Sequence, residues 1–202
     1  MELAWQRPRS RATGKAPPST SPRTASRSRR FFFVRHGESE ANLLREFSNR
    51  GDKHGLTSRG REQVLELAER LSSANISRIY ASPVRRARES AKLLGVKLAV
   101  EWCTEEALRE YDVGTFEGTS STANWEAYEE VVAAWLLGRD WDQRTGGGES
   151  LREIEARFVP FVDRLRVEVP PGASVLLLGH GGLLRGSTAD AARRAKRDAR
   201  RR

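Results

Sequence analysis

The chain contains very little cysteine and histidine, with one Cys and three His among its 202 residues. A single cysteine, Cys103, excludes an internal disulfide, and nothing beside it would activate a thiol, so we expect it to pack. Because no apolar run reaches the length of a membrane span and no secretory apolar core is present, no membrane partner is expected. No residues have the spacing of a metal site. The cytosol is the simplest compartment for such a chain.

The net charge of +9 comes from the two ends of the sequence. Residues 1–30 hold eight basic residues and one acid, and residues 187–202 hold seven basic residues and two acids, whereas the part between them holds 21 basic and 24 acidic residues. We therefore expect a disordered basic tail at 1–30, one domain at 31–186 and a basic Ala/Arg-rich tail at 187–202. An organellar transit peptide is the alternative for the first tail. Because neither tail interleaves aromatic residues with its charges, no specific nucleic-acid partner is predicted.

Hydrophobic periodicity predicts strands that alternate with helices. The predicted strands are 31–34, 76–81, 96–102 and 175–178, and the predicted helices are 57–73, 82–94, 124–137 and one that begins at Ser150 and ends before Pro170. Thr57 and Ser82 are predicted helix caps, Ser150 with Glu153 forms a capping box, and Pro160 predicts a kink. This order is typical of an α/β fold, a three-layer αβα sandwich with a mostly parallel central sheet.

Two strands end in a histidine that glycine follows. The first is followed by Arg35-His36-Gly37, and the last by Gly179-His180-Gly181. Open α/β sheets bind their ligands outside the carboxyl ends of the strands. The sequence therefore predicts one site built from both ends of the fold.

Six motifs in order make residues 31–185 resemble the histidine phosphatase superfamily, also called phosphoglycerate mutase-like. They are Arg35-His36-Gly37-Glu38 with Asn42, Leu56-Thr57 with Gly60 and Gln63, Ser82-Pro83-Val84-Arg85-Arg86-Ala87, Leu108-Arg109-Glu110 with Gly114 and Glu117-Gly118, Gly147-Gly148-Glu149-Ser150, and Gly179-His180-Gly181-Gly182. The resemblance implies a phosphatase that needs no metal or other cofactor and acts on a small phosphorylated substrate.

Three residues are implied to carry the chemistry. His36 would be the nucleophile, a neutral imidazole whose pKa the surrounding cations lower and whose second nitrogen an acceptor holds. His180 would stabilise the phosphoryl oxygens, and Glu110 would donate and then accept the proton. Outside this context, either histidine would be interpreted as a packed core residue.

Four further residues are implied to hold the phosphate. Arg35 and Arg86 would do so through their planar guanidinium groups and Asn42 through its amide, while Gly37 would let the backbone come close. Arg85 competes with Arg86, but the residue just before Ala87 fits the family pattern and Arg85 fits a solvated face. The third histidine, His54, is expected at the surface near the mouth of the site.

The resemblance fails after Gly182, where family members continue with an apolar helix and another strand. Here an Ala/Arg-rich segment follows, which predicts a truncated or frameshifted end, an unpaired sheet edge and impaired activity. Two alternatives to hydrolysis stay open: a mutase of the phosphoglycerate type, for which the segment between Gly118 and Glu149 is short, and a catalytically weak phosphate-binding protein. The oligomeric state is not indicated.

Overall fold

A computed structural model of the chain describes residues 28–138 and 140–183. The strands are β1 (Arg30–Arg35), β2 (Ile76–Ala81), β3 (Trp102–Thr104) and β4 (Ser174–Gly179). The helices are α1 (Glu40–Leu44), α2 (Ser58–Leu71), α3 (Arg85–Leu98), α4 (Thr122–Leu136) and α5 (Leu151–Glu168), with short 3₁₀ turns at Glu106–Leu108 and Gly114–Phe116.

The described strands form one parallel sheet in the order β1-β4-β2-β3. Strand β4 is buried along its whole length, and its side chains alternate between two cores. Val175 and Leu177 pack with residues of α4 and α5 on one face, while Leu176 and Leu178 pack with residues of α2 and α3 on the other. Helices therefore cover both faces of the sheet, which confirms the predicted three-layer α/β fold.

Local signals fix where two helices begin. The Thr57 hydroxyl accepts a hydrogen bond from the Gly60 amide at the start of α2, as its capping position predicts. Ser150 and Glu153 form the predicted capping box at the start of α5. That helix continues through Pro160 to Glu168.

The prediction for the next helix and strand is partly wrong. Helix α3 begins at Arg85 instead of near Ser82, and it continues to Leu98 before ending at Ala99 in a left-handed conformation. Val96, which favoured a strand, is 76% exposed on this helix, and β3 begins only at Trp102. The helix continues beyond the predicted boundary because the fully buried Leu94 and the partly buried Leu98 pack in the same core.

The predictions for residues 1–27 and 184–202 lie outside the described residues. Strand β1 begins at Arg30, the last residue of the predicted N-terminal tail, and its one neighbour among the described strands is β4. None of the helices in the described ranges is long and apolar enough to cross a membrane.

Candidate active site

The strand order brings distant segments to one edge of the sheet. His36 follows β1, His180 follows β4, and Ser82 follows β2, so three neighbouring parallel strands end beside one another. The centroids of the two imidazole rings are 5.0 Å apart, with the rings inclined by 61°. The two predicted histidines therefore meet in space although 143 residues separate them in sequence.

His36 is buried as a neutral imidazole. Its Nδ1 lies 2.6 Å from the Gly37 carbonyl oxygen, and its Nε2 accepts a hydrogen bond of 2.9 Å from Arg86 Nε. A carbonyl can only accept, which assigns the proton to Nδ1 and leaves the lone pair on Nε2. Burial first, and then the charges of Arg86 and Arg35, lower the pKa of His36 to about 3. The ring is thus held neutral with Nε2 unprotonated, the form that a nucleophile requires.

Arg86 contacts both imidazoles from the first turn of α3. Its Nη1 donates to the Ser48 carbonyl at 2.6 Å, and its Nη2 donates to His180 Nδ1 at 3.2 Å. Burial lowers the pKa of Arg86 to about 10, so the group stays charged at neutral pH. Arg85 points elsewhere and pairs with Glu89 at 2.9 Å. Of the two candidate arginines, the structure brings only Arg86 to the histidines.

His180 is fully buried and is held from both sides. Because Nδ1 accepts from Arg86, Nε2 carries the proton and donates to Ser82 Oγ at 2.7 Å. Burial, together with the nearby His36 and Arg86, keeps the pKa of His180 well below its usual value. Sequence analysis treated Ser82 as a helix cap and as part of a family motif, and it missed this contact.

Glu110 lies against the turn that follows His180. Its carboxylate accepts hydrogen bonds from the amides of Gly182 at 2.9 Å, Leu183 at 2.8 Å and Tyr111 at 3.1 Å. Burial raises the pKa of Glu110, and these three amides oppose the rise. A carboxyl group with an elevated pKa is suited to proton transfer near neutral pH.

Arg35 lines the pocket, whereas Gly37 does not. Arg35 is exposed, and a Cβ at Gly181 would lie 3.6 Å from its guanidinium carbon, so the group rests over the turn after His180. Gly37 is not among the residues that line the pocket, and its N–H donates to Ser90 Oγ at 3.3 Å, so its role in phosphate binding stays a prediction. Its lack of a side chain serves packing, because a Cβ there would overlap the Gly60 carbonyl at the start of α2.

Asn42 lines the pocket, but part of its amide is engaged locally. Its Oδ1 accepts from the backbone N–H and the hydroxyl of Ser39, both at 3.0 Å, in a capping box of α1. Only the amide nitrogen is left for a ligand among the described contacts of this side chain. The prediction of a surface position for His54 is wrong, because that ring is 6% exposed between Glu46 and Glu40.

The segment that carries Glu110 is clamped by the Gly-Gly-Glu-Ser motif. Glu149 accepts from the Asp112 amide at 2.9 Å and from Arg157 Nε at 3.1 Å, while Arg157 Nη1 donates to the Ala107 carbonyl at 2.8 Å. A Cβ at Gly148 would overlap the Asp112 carbonyl, so that close approach requires glycine. The motif therefore positions the segment that carries Glu110, and none of its own residues lines the pocket.

Of the predicted site residues, Arg35, His36, Asn42, Arg86 and Glu110 line a pocket of about 190 Å³, and His180 and Gly37 do not. The lining residues are Arg35, His36, Ala41, Asn42, Glu46, Phe47, Ser48, Asn49, Arg86, Glu110, Trp125, Tyr128, Glu129, Gly181 and Gly182. Within 28–138 and 140–183, no group of three or more His, Cys, Asp and Glu side chains is placed to hold a metal ion. Two guanidinium groups beside a bare imidazole nitrogen suit a phosphoryl group, whose oxygens need cations while its phosphorus needs a nucleophile.

Comparison with known proteins places this arrangement in a family. The model of the histidine phosphatase superfamily, branch 1, matches residues 31–202. A probable phosphoglycerate mutase, GpmB of Salmonella choleraesuis, is 30% identical over 150 residues, which cover 74% of this chain and 68% of the relative. A solved mycobacterial glucosyl-3-phosphoglycerate phosphatase in complex with VO3 has 28% identity and a TM-score of 0.69, covering 81% of this chain and 80% of its own. A putative alpha-ribazole-5'-P phosphatase from Escherichia coli has 25% identity and a TM-score of 0.61, covering 78% and 76%.

Proposed function

The chain belongs to the histidine phosphatase superfamily, and on that basis we propose that it hydrolyses small phosphomonoesters through a phosphohistidine on His36. The observation that carries the proposal is the position of Arg86, which donates to the bare Nε2 of His36 and to His180 at once. A phosphoryl group entering between these residues would replace the ring contacts of Arg86 with contacts to its own oxygens. The guanidinium would then face the developing charge while Nε2 faces phosphorus.

In the first step, the lone pair of His36 Nε2 attacks phosphorus and the bond from phosphorus to the alcohol oxygen breaks. Glu110, whose pKa burial raises, supplies the proton that the leaving oxygen requires. Arg35, Arg86 and the amide nitrogen of Asn42 hold the phosphoryl oxygens. His180 supports them once the bound dianion favours its protonated form, with Ser82 fixing the ring through Nε2.

In the second step, water attacks the phosphorus of the phosphohistidine and the nitrogen–phosphorus bond breaks. Glu110 accepts the proton from that water, which returns both His36 and Glu110 to their starting forms. Inorganic phosphate leaves, and no redox change or further reactant is needed. We propose that the reaction uses no metal, so a chelator should leave the rate unchanged.

Two substitutions test the assignment, and a third serves as their control. His36→Ala should abolish release of p-nitrophenol from p-nitrophenyl phosphate while the far-UV circular dichroism spectrum is preserved. Arg86→Ala should lower kcat/KM by about 100-fold or more, as removal of a charge-stabilising donor does in other enzymes. Its neighbour Arg85→Ala is the control and should keep the wild-type value, since that side chain pairs with Glu89. Retained activity in His36→Ala would overturn the proposal.

A trapping experiment distinguishes the covalent route from direct attack by water. Rapid denaturation of the wild-type protein during turnover should retain acid-labile, base-stable phosphate on the chain, as a phosphohistidine does. The label should be absent from His36→Ala. Label that persists in that variant would assign the nucleophile to another residue.

The second candidate is phosphoryl transfer of the mutase type, which the relative described as a probable phosphoglycerate mutase favours. A mutase returns the phosphoryl group to another hydroxyl of its substrate, whereas a phosphatase releases it to water. Isomerisation of 3-phosphoglycerate that outpaces phosphate release would favour the mutase. Binding of inorganic phosphate without either reaction would leave a phosphate-binding protein.

A further inference from the structure

The start of helix α2 packs directly on the loop that carries His36. A Cβ at Gly60 would overlap the Glu38 carbonyl oxygen, and a Cβ at Gly37 would overlap the Gly60 carbonyl oxygen. The two backbones approach this closely because neither position has a side chain. Gly60 and Gln63 belong to one of the six sequence motifs, and the proposed reaction gives that motif no part.

One peptide group of this loop connects Gln63 with His36. The group consists of the Gly37 carbonyl and the Glu38 N–H. Its oxygen accepts from Nδ1 of His36 at 2.6 Å, and its N–H donates to Gln63 Oε1 at 2.9 Å. Because a peptide group is a rigid plane, a partner that holds its N–H end also sets the direction of its C=O end. Gln63 therefore helps to aim the carbonyl that holds the imidazole.

The neighbouring peptide groups of the loop have partners of their own. The Gly37 N–H donates to Ser90 Oγ at 3.3 Å, and the Glu38 carbonyl accepts from the Thr57 amide at 3.0 Å. These bonds fix the chain on either side of the Gly37–Glu38 peptide without contacting the atoms of that peptide. The motion left to it is rotation between its fixed ends, which the hydrogen bond to Gln63 opposes.

We propose that Gln63 is a positioning residue for the nucleophile: through the Gly37–Glu38 peptide it holds the carbonyl against Nδ1 of His36 and keeps Nε2 aimed at phosphorus. The inference rests on the proposed phosphatase function and adds to it a residue that does not line the pocket. When Nε2 bonds to phosphorus, Nδ1 keeps its proton and the ring becomes positively charged. The hydrogen bond from a charged ring is the stronger one, and an acceptor at the N–H end polarises the same peptide further. Gln63 should thus stabilise the transition state more than the substrate complex.

The Gly37 carbonyl already favours the charged form of the ring. Burial, with the charge of Arg86, lowers the pKa of His36 to about 3, and the hydrogen bond to Gly37 acts in the opposite direction. A partner that raises the pKa of a base stabilises its protonated, positive form. The same interaction is available to the positive ring that forms when His36 attacks.

Two substitutions at position 63 and one control test the assignment. Gln63→Met removes the acceptor but keeps the length of the side chain and a high helix propensity. Because Gln63 is exposed and water can replace part of its hydrogen bond, we expect kcat/KM for p-nitrophenyl phosphate to fall by about fivefold. Gln63→Glu supplies a carboxylate oxygen at the same place and should restore kcat/KM to within about twofold of wild type. Glu62→Met, a change at the exposed neighbour on α2, should leave it unchanged.

Two further measurements separate positioning from a loss of structure or of binding. The inhibition constant of inorganic phosphate should stay at the wild-type value in Gln63→Met, because Arg35 and Arg86 hold the anion in the proposed reaction. The ¹H resonance of the His36 Nδ1–H should move upfield in Gln63→Met, as its hydrogen bond to the Gly37 carbonyl weakens, and return in Gln63→Glu.

Several outcomes would overturn the inference while hydrolysis through His36 stands. They are wild-type kcat/KM in Gln63→Met, a loss that Gln63→Glu does not restore, an equal loss in Glu62→Met, and an unmoved Nδ1–H resonance. If the wild-type protein does not hydrolyse p-nitrophenyl phosphate, or if His36→Ala retains the activity, the proposed function fails and the inference fails with it.

Discussion

Replacing His36 with asparagine should make the free energy of unfolding less sensitive to acid. In the folded protein the pKa of His36 is lowered to about 3, against about 6.5 for an unperturbed histidine. Between these two values the unfolded chain binds more protons than the folded one, so the stability of the folded state falls as the pH falls. Between pH 7.5 and pH 5.0, protonation linked to His36 should lower the free energy of unfolding of the wild-type protein by about 2 kcal/mol.

The assay is urea unfolding of the wild-type protein and His36→Asn at both pH values. Asparagine has no proton to gain in this range, and its amide can donate to the Gly37 carbonyl as Nδ1 of His36 does. His180, whose lowered pKa acts in the same direction, and Glu110, whose raised pKa acts in the opposite direction, are present in both proteins. Because His36 also contributes to the lowered pKa of His180, the difference between the two acid-induced losses reports His36 together with this coupling.

The expected result is that the wild-type protein loses about 2 kcal/mol more than His36→Asn between pH 7.5 and pH 5.0. The urea m-values should agree, which shows that both proteins unfold from comparably compact states. Equal losses in the two proteins would refute the argument, because they would mean that the folded protein accepts a proton on His36 as readily as the unfolded chain. A direct check is the imidazole ¹⁵N resonance of His36, which should keep its neutral shifts at pH 5.0.

Three other substitutions have defined outcomes. Glu149→Gln weakens the pairing with Arg157, so thermal unfolding should show a loss of about 1–3 kcal/mol and kcat should fall as the Glu110 segment loosens. Ser82→Ala leaves the buried Nε2–H of His180 without its acceptor and should cost about 1–3 kcal/mol in urea, together with a changed ¹⁵N shift for that ring. Trp135→Ala removes one of the largest fully buried side chains and should cost about 3–5 kcal/mol.

Much of the fold could be predicted because its signals are local. Helix α2 and its Thr57 cap, strand β2 and the capping box of α5 are each specified by residues within one or two turns of one another. The family pattern also selected Arg86 over Arg85, and the structure places Arg86 on the two histidines. The order of residues along the chain is enough to predict a helix, strand or cap that depends only on residues of its own segment.

Other features depend on contacts that a sequence read in order does not show. Ser82 was expected to cap α3, but the helix begins three residues later, and the Ser82 hydroxyl accepts from both the Val84 amide and His180 Nε2. His54 was expected at the surface because it lies in a Gly-Asp-Lys-His-Gly run, yet its ring is buried and lies near the carboxylates of Glu40 and Glu46. The clamp between Glu149 and the 107–112 segment likewise joins residues about 40 positions apart. Such pairings are decided by tertiary packing, which local propensity does not encode.

The placement of β4 between β1 and β2 has a consequence for how catalytic competence arises during synthesis. Until residues 174–179 emerge, the two earlier strands have no shared neighbour, and His36 and Arg86 lack their partner His180, which follows β4. A nascent chain that stops short of this strand should remain inert however much of α2 and α3 has formed. The appearance of enzymatic activity would then mark the time at which β1 pairs with β4, the strands that lie furthest apart in the sequence.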